Sequence, residues 1–160
     1  MSINRRNIQP EALHQRRVNN LVLYSHVVSV EPRRLIFGSG QLARNKAGQI
    51  VGAGDMRAQL RQTLENIKAA LEAAGASLSD LVRTNTYVTD IDEYFKHVDV
   101  RMEFFSHAMP TSTTVEVRRL SQPSQSSIAG RRVARTAYPK SRLISPASRL
   151  MLLLRPATRQ

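Results

Sequence analysis

The chain has 160 residues, 41% of them hydrophobic, enough for one ordinary domain with a real core. It has no cysteine, which excludes disulfides, thiolate metal sites and cysteine nucleophiles and leaves folding to packing alone. The net charge of +12 is uneven: residues 1–120 carry 16 Lys/Arg against 12 Asp/Glu, whereas residues 121–160 carry eight basic residues and no acid, so the body is not a uniformly basic nucleic-acid binder.

Arg5-Arg6 is followed by no apolar run, and the apolar stretch Met151 to Leu154 is far too short to span a bilayer. A cytoplasmic protein with no membrane partner is expected. Residues 1–20 are polar and basic and read as an arm. Tyr24 to Val30 and Leu35 to Ser39 are short strand signals, and the turn signal Glu31-Pro32-Arg33 between them predicts a hairpin. Residues 44–54, with three glycines, read as a loop.

The clearest element is a helix from Asp55 to Ala74. Met56, Leu60, Leu64, Ile67, Leu71 and Ala74 fall on one face, with Asp55 as the amino-terminal cap and Gly75 as the stop. Val82 to Val88 is rich in β-branched residues and reads as a strand. A second helix from about Asp92 to Ser106 places Tyr94, Val98, Met102 and Phe105 on one stripe, and Pro110 ends it. Thr113 to Leu120 is the last predicted strand of a domain spanning residues 1–121. The order predicts an α+β fold, one small mixed sheet with two helices on one face; the other face favours oligomerisation.

Residues 122–160 are dominated by Arg, Ser, Ala and Pro and read as a basic tail, disordered or aberrant; only Ser148 to Arg155 could form an isolated strand or helical turn. The acid-free composition resembles an out-of-frame reading of a GC-rich gene.

Gly38-Ser39-Gly40-Gln41-Leu42-Ala43 fits G-x-G-x-x-A, but no helix opens after it, so it reads as a strand end with close backbone approach rather than a dinucleotide site. His14, His26, His97 and His107 lack metal-ligand spacing, and no metal is expected. Asp90, Asp92 and Glu93 read as a helix start, where carboxylates meet the dipole favourably. Arg131, Arg132, Arg135, Arg142, Arg149, Arg155 and Arg159 could neutralise phosphates, but they are not interleaved with stacking aromatics.

Several segments together resemble the RidA/YjgF/UK114 family of imine and enamine deaminases. They are Tyr24-Ser25-His26-Val27-Val28, Phe37-Gly38-Ser39-Gly40-Gln41, the helix from Gln59 to Lys68 running into Glu72 to Leu78, Thr86 to Tyr94, and Pro110 to Leu120. Their order and spacing cover roughly residues 8–121. The resemblance implies a chorismate-mutase-like fold, a homotrimer with clefts between subunits, no cofactor, and hydrolysis of reactive imines or enamines to keto compounds and ammonia. An imine is already electrophilic, so a protein need only orient it and position a water.

The resemblance further implies Tyr24 and Thr114 as catalytic residues, with Gly40, Ser112 and Thr113 binding substrate. Ser112 stands where deaminating members carry an arginine, and a hydroxyl cannot supply that charge. The family's closing strand, a central piece of its sheet, is replaced by residues 122 onward. A noncatalytic trimeric metabolite-binding protein is the first alternative. An RNA-directed endoribonuclease or translation inhibitor, acting through the basic tail, is the second.

Overall fold

A computed structural model describes residues 4–32 and 34–121, together with the backbone of residues 132–135. Strand β1 (Arg5–Ile8) lies in what the sequence suggested was an arm, and β2 (Arg17–Val18) pairs with β3 (Leu21–Val22). Asn19 and Asn20 link β2 to β3 with positive φ of 49° and 63°, the two-residue hairpin geometry that asparagine tolerates. Strand β4 (Val27–Val30) pairs antiparallel with β1, Arg5 opposite Val30 and Ile8 opposite Val27.

The expected hairpin between β4 and β5 (Leu35–Gly38) therefore does not form. The partner of β4 is a strand with no apolar alternation, held instead by its polar side chains. Arg5 donates to the carbonyls of Ser79 (2.8 Å) and Ala108, and Asn7 donates to Ala108 O at 3.0 Å and Ser25 Oγ at 2.9 Å.

Helix α1 (Met56–Ala73) begins where the sequence puts it. Asp55 accepts from Ala58 N–H at 3.0 Å, and Leu60, Leu64, Ile67 and Leu71 are buried on one face. At its end Gly75, at φ 71°, lets the Ala76 N–H reach back to Leu71 O at 2.8 Å. A 3-10 turn (Leu78–Asp80) leads into β6 (Leu81–Val88).

The second predicted helix is two: α2 (Ile91–Lys96) and α3 (Val98–Phe105), separated by His97 at φ −115°. The apolar stripe runs through the break in phase, for Tyr94, Val98, Met102 and Phe105 are all buried. No helix among the described residues is long and apolar enough to cross a membrane.

Strand β7 (Thr111–Glu116) runs parallel to β6, and β8 (Arg132–Arg135) comes from the segment read as lacking regular structure. The sheet order is β5-β8-β6-β7, with β8 antiparallel to both neighbours. The rest of residues 122–160, including Ser148 to Arg155 and the other tail arginines, lies outside the described residues.

The result is the expected mixed α+β domain. Its core joins α1, α2 and α3 to the sheet face that carries Thr84, Thr86 and Val88. On the opposite face, Leu35, Phe37 and Val115 are exposed, Phe37 by 69%.

Candidate functional site

A cleft of about 180 Å³ opens where the edge of the sheet meets α2 and α3. Its walls carry Tyr24, Ser112 and Thr114, three residues expected at the site from the sequence, together with Tyr94, Phe95 and Arg101, which were not expected there. Strand alternation explains Ser112 and Thr114. They lie opposite Thr84 and Thr86 in the parallel register and share the inward face of the sheet with them.

Thr113 lies between them, is exposed, and belongs to the opposite face. Gly40 lines a separate, open groove of about 570 Å³ with Gln41, Arg44, Lys46 and Asn66. Asn66 fixes that groove by donating to Leu42 O at 2.9 Å and Arg44 O at 2.8 Å. Within one chain, then, the sequence-derived residues divide into Tyr24, Ser112 and Thr114 in the cleft, and Gly40 and Thr113 outside it.

The loop after β5 also decides the glycine motif. Gly38 ends the strand, Arg44 bridges to Ile50, and the next helix opens only at Met56. There is no helix amino terminus at Gly40 to meet a pyrophosphate.

The inner wall is a set of buried hydroxyls. Tyr94, 2% exposed, hydrogen-bonds the side chains of Thr114 and Thr86, and burial raises its phenol above the ordinary range, so it stays a neutral donor and acceptor. Thr84 donates to Ser112 Oγ at 3.2 Å. Tyr24 is half-buried, with its backbone carbonyl held by Gln9 Nε2 at 2.9 Å and its ring edge-on to His26. Arg16 sits 4.2 Å over the ring of Phe95 at the exposed rim.

Arg101 is the unusual member. It is 3% exposed, donates from Nη1 to Leu23 O, and lies over the Phe105 ring at 5.2 Å. The sequence did carry a signal for it, because Arg101 stands three residues after Val98 and four before Phe105, a charge on an otherwise apolar stripe.

The acidic residues near the cleft are structural. Asp90 caps α2 by accepting from Glu93 N–H at 2.8 Å, and Glu116 accepts from Ile91 N–H at 2.9 Å. Glu93 pairs with Lys96 at 2.7 Å and with His97 at 3.1 Å. Among the described residues no three His, Cys, Asp or Glu side chains gather as a metal site would require.

The sequence profile of a family described as endoribonuclease L-PSP matches residues 14–128. A RutC family protein of Pyrococcus horikoshii is 41% identical over 93 residues, covering 58% of this chain and 73% of that protein. A 2-iminobutanoate/2-iminopropanoate deaminase of Escherichia coli is 37% identical over 100 residues, covering 59% and 76%. The crystal structure of a Rid family protein of unknown function from Yersinia pestis superposes with a TM-score of 0.72 at 29% identity, covering 83% of this chain and 99% of that one.

Proposed function

Since the chain belongs to the endoribonuclease L-PSP family, to which the RidA/YjgF proteins belong, we propose that it hydrolyses small reactive imines or enamines to carbonyl compounds and ammonia. The observation that carries this reading is the gathering of Tyr24, Ser112 and Thr114 in one cleft, beside the buried hydroxyl of Tyr94. Similarity to the Escherichia coli deaminase supports it. A cavity near 150 Å³ holds a molecule of benzene's size, and 2-iminopropanoate is no larger. In the reaction a water oxygen bonds to the imine carbon, the nitrogen takes up protons, and the carbon–nitrogen bond breaks to release ammonia. Tyr24 orders the water, and the Thr114 backbone carbonyl accepts one of its protons as a hydrogen bond.

The proposed working form is a homotrimer with the chorismate-mutase-like fold, joined through the sheet face that exposes Leu35, Phe37 and Val115. Such an assembly would place Thr113, which lies on that face, at the contact between copies. Phe37→Asp is expected to lower the mass measured by light scattering to that of one chain; an unchanged mass overturns this part of the reading.

The deciding assay generates 2-iminopropanoate in situ and follows its decay with and without the protein. Faster decay with ammonia release supports the enzyme, whereas unchanged decay beside clear binding of the keto product supports a noncatalytic metabolite-binding protein. A third reading, RNA cleavage, draws on the family's description and the basic segment after residue 121. It requires RNA affinity that falls steeply with salt and disappears when residues 136–160 are removed.

A further inference from the structure

We infer that Arg101 is an anion anchor of the cleft and that the ligand it holds is a small monocarboxylate, the 2-imino or 2-oxo acid class. The inference deepens the deaminase reading and shares its cleft, but it concerns binding and can fail separately.

The sequence lacks an arginine at position 112, and the cleft nevertheless contains a guanidinium, supplied from α3 instead of β7. Arg101 is 3% exposed where it lines the cleft, yet it forms no ion pair with any carboxylate among the described residues. Its Nη1 is used by Leu23 O and lies 3.8 Å from Met102 Sδ, while its Nη2 has no hydrogen-bond partner. A guanidinium whose task was only to hold one carbonyl would be an expensive choice, because a buried cation without a counter-ion loses its hydration and regains little. Burial lowers the Arg101 pKa, as expected for a cation held away from water.

An anion in the cleft would supply both the missing charge and the missing acceptor. The other walls fit a carboxylate. Ser112 and Thr114 bring hydroxyls, Tyr94 lies behind them, and Leu23, Ile91 and Phe95 offer apolar surface for a short carbon chain. Arg16 adds a second positive charge at the rim, and none of the nine lining residues is acidic. The small volume and single buried cation suit one carboxylate better than a phosphate dianion, which demands more donors.

The test uses the full chain and stable ligands. Binding of 2-oxobutanoate is measured by calorimetry beside its neutral counterparts 2-oxobutanamide and butanone, for the wild type and for Arg101→Met. The expected result is that 2-oxobutanoate binds at least about tenfold more tightly than either neutral compound, and that Arg101→Met abolishes the preference while keeping its circular dichroism. Equal binding of acid and amide by the wild type overturns the inference, as does no binding of 2-oxobutanoate or a folded Arg101→Met that retains the preference. Should that variant not fold, the wild-type ligand series decides alone. Carboxylate preference without ammonia release would sink the deaminase reading and leave the anchor standing. Turnover of imines with no preference for the carboxylate would do the reverse.

Discussion

Tyr94→Phe removes one oxygen from the wall of the cleft and nothing else. The ring is 2% exposed and packs edge-on to Phe95 at 5.3 Å, so the apolar contacts survive the change. The lost hydroxyl serves both Thr86 and Thr114, and Thr86 is only 5% exposed. A net hydrogen bond is worth roughly 1 kcal/mol, and where its loss strands a buried hydroxyl the cost is about 1–3 kcal/mol in all. Thr114 can turn toward the cleft, so only Thr86 bears the second cost, and the total comes to about 2 kcal/mol. For a domain of this size that is a fall of roughly 8 °C in Tm, read at fixed protein concentration because an oligomer's Tm depends on it. Thr86→Val should cost less in the Tyr94→Phe background than in the wild type, since the pair acts as a unit. A Tm change under about 2 °C, or full additivity of the two substitutions, would refute the hydroxyl cluster as described.

The other expectations concern the frame and its response to acid. Val133→Pro removes a ladder N–H from the central strand β8 and should cost about 3 kcal/mol or prevent folding; an unchanged denaturant midpoint would show that β8 adds nothing. Gly52→Ala, at φ 68° with the new Cβ 2.6 Å from Ala58 Cβ, should lower Tm by several degrees, and wild-type stability would contradict that close approach. Asp55→Ala removes the cap of α1 and should cost about 1 kcal/mol in chemical denaturation. The Glu93 carboxyl is held below its ordinary pKa first by Lys96 and then by His97, and the Asp99 carboxyl first by Arg57. Their folded pKa values are depressed, so their stabilisation is present above the unfolded values of about 4.5 and 3.8 and is lost as pH falls through the folded ones. A Glu93→Gln, Asp99→Asn variant should lose less stability than the wild type between pH 5 and pH 2.5; parallel curves would mean these pairs contribute nothing.

What could be read from the sequence followed what local physics writes there. Helix α1 announces itself by its period and both of its ends. Strand β1 was hidden because its stability comes from Arg5 and Asn7 reaching distant carbonyls, which leaves no alternation to see. The break at His97 was hidden because the buried stripe keeps its phase across it. Strand β8 is four residues in an acid-free stretch, and its place is set by the two strands that flank it. In the cleft, Tyr24, Ser112 and Thr114 came from a resemblance of motifs. Tyr94 and Arg101 come from packing, because a helix stripe shows which residues turn inward and not which of them meet a cavity.

The order of strands in the sheet also has a timetable. Leu35 pairs with Arg135, and Leu81 with Ala134, so the two halves of the sheet are joined by a strand made after both. At translation speeds of about 5–20 residues per second, β5 waits roughly 5 to 20 s before its partner exists. Through that interval the nascent chain carries β5 unpaired, with Leu35 and Phe37 alternating along it. Yield in a cell would then depend on elongation rate and on holding chaperones as much as on the stability of the finished fold.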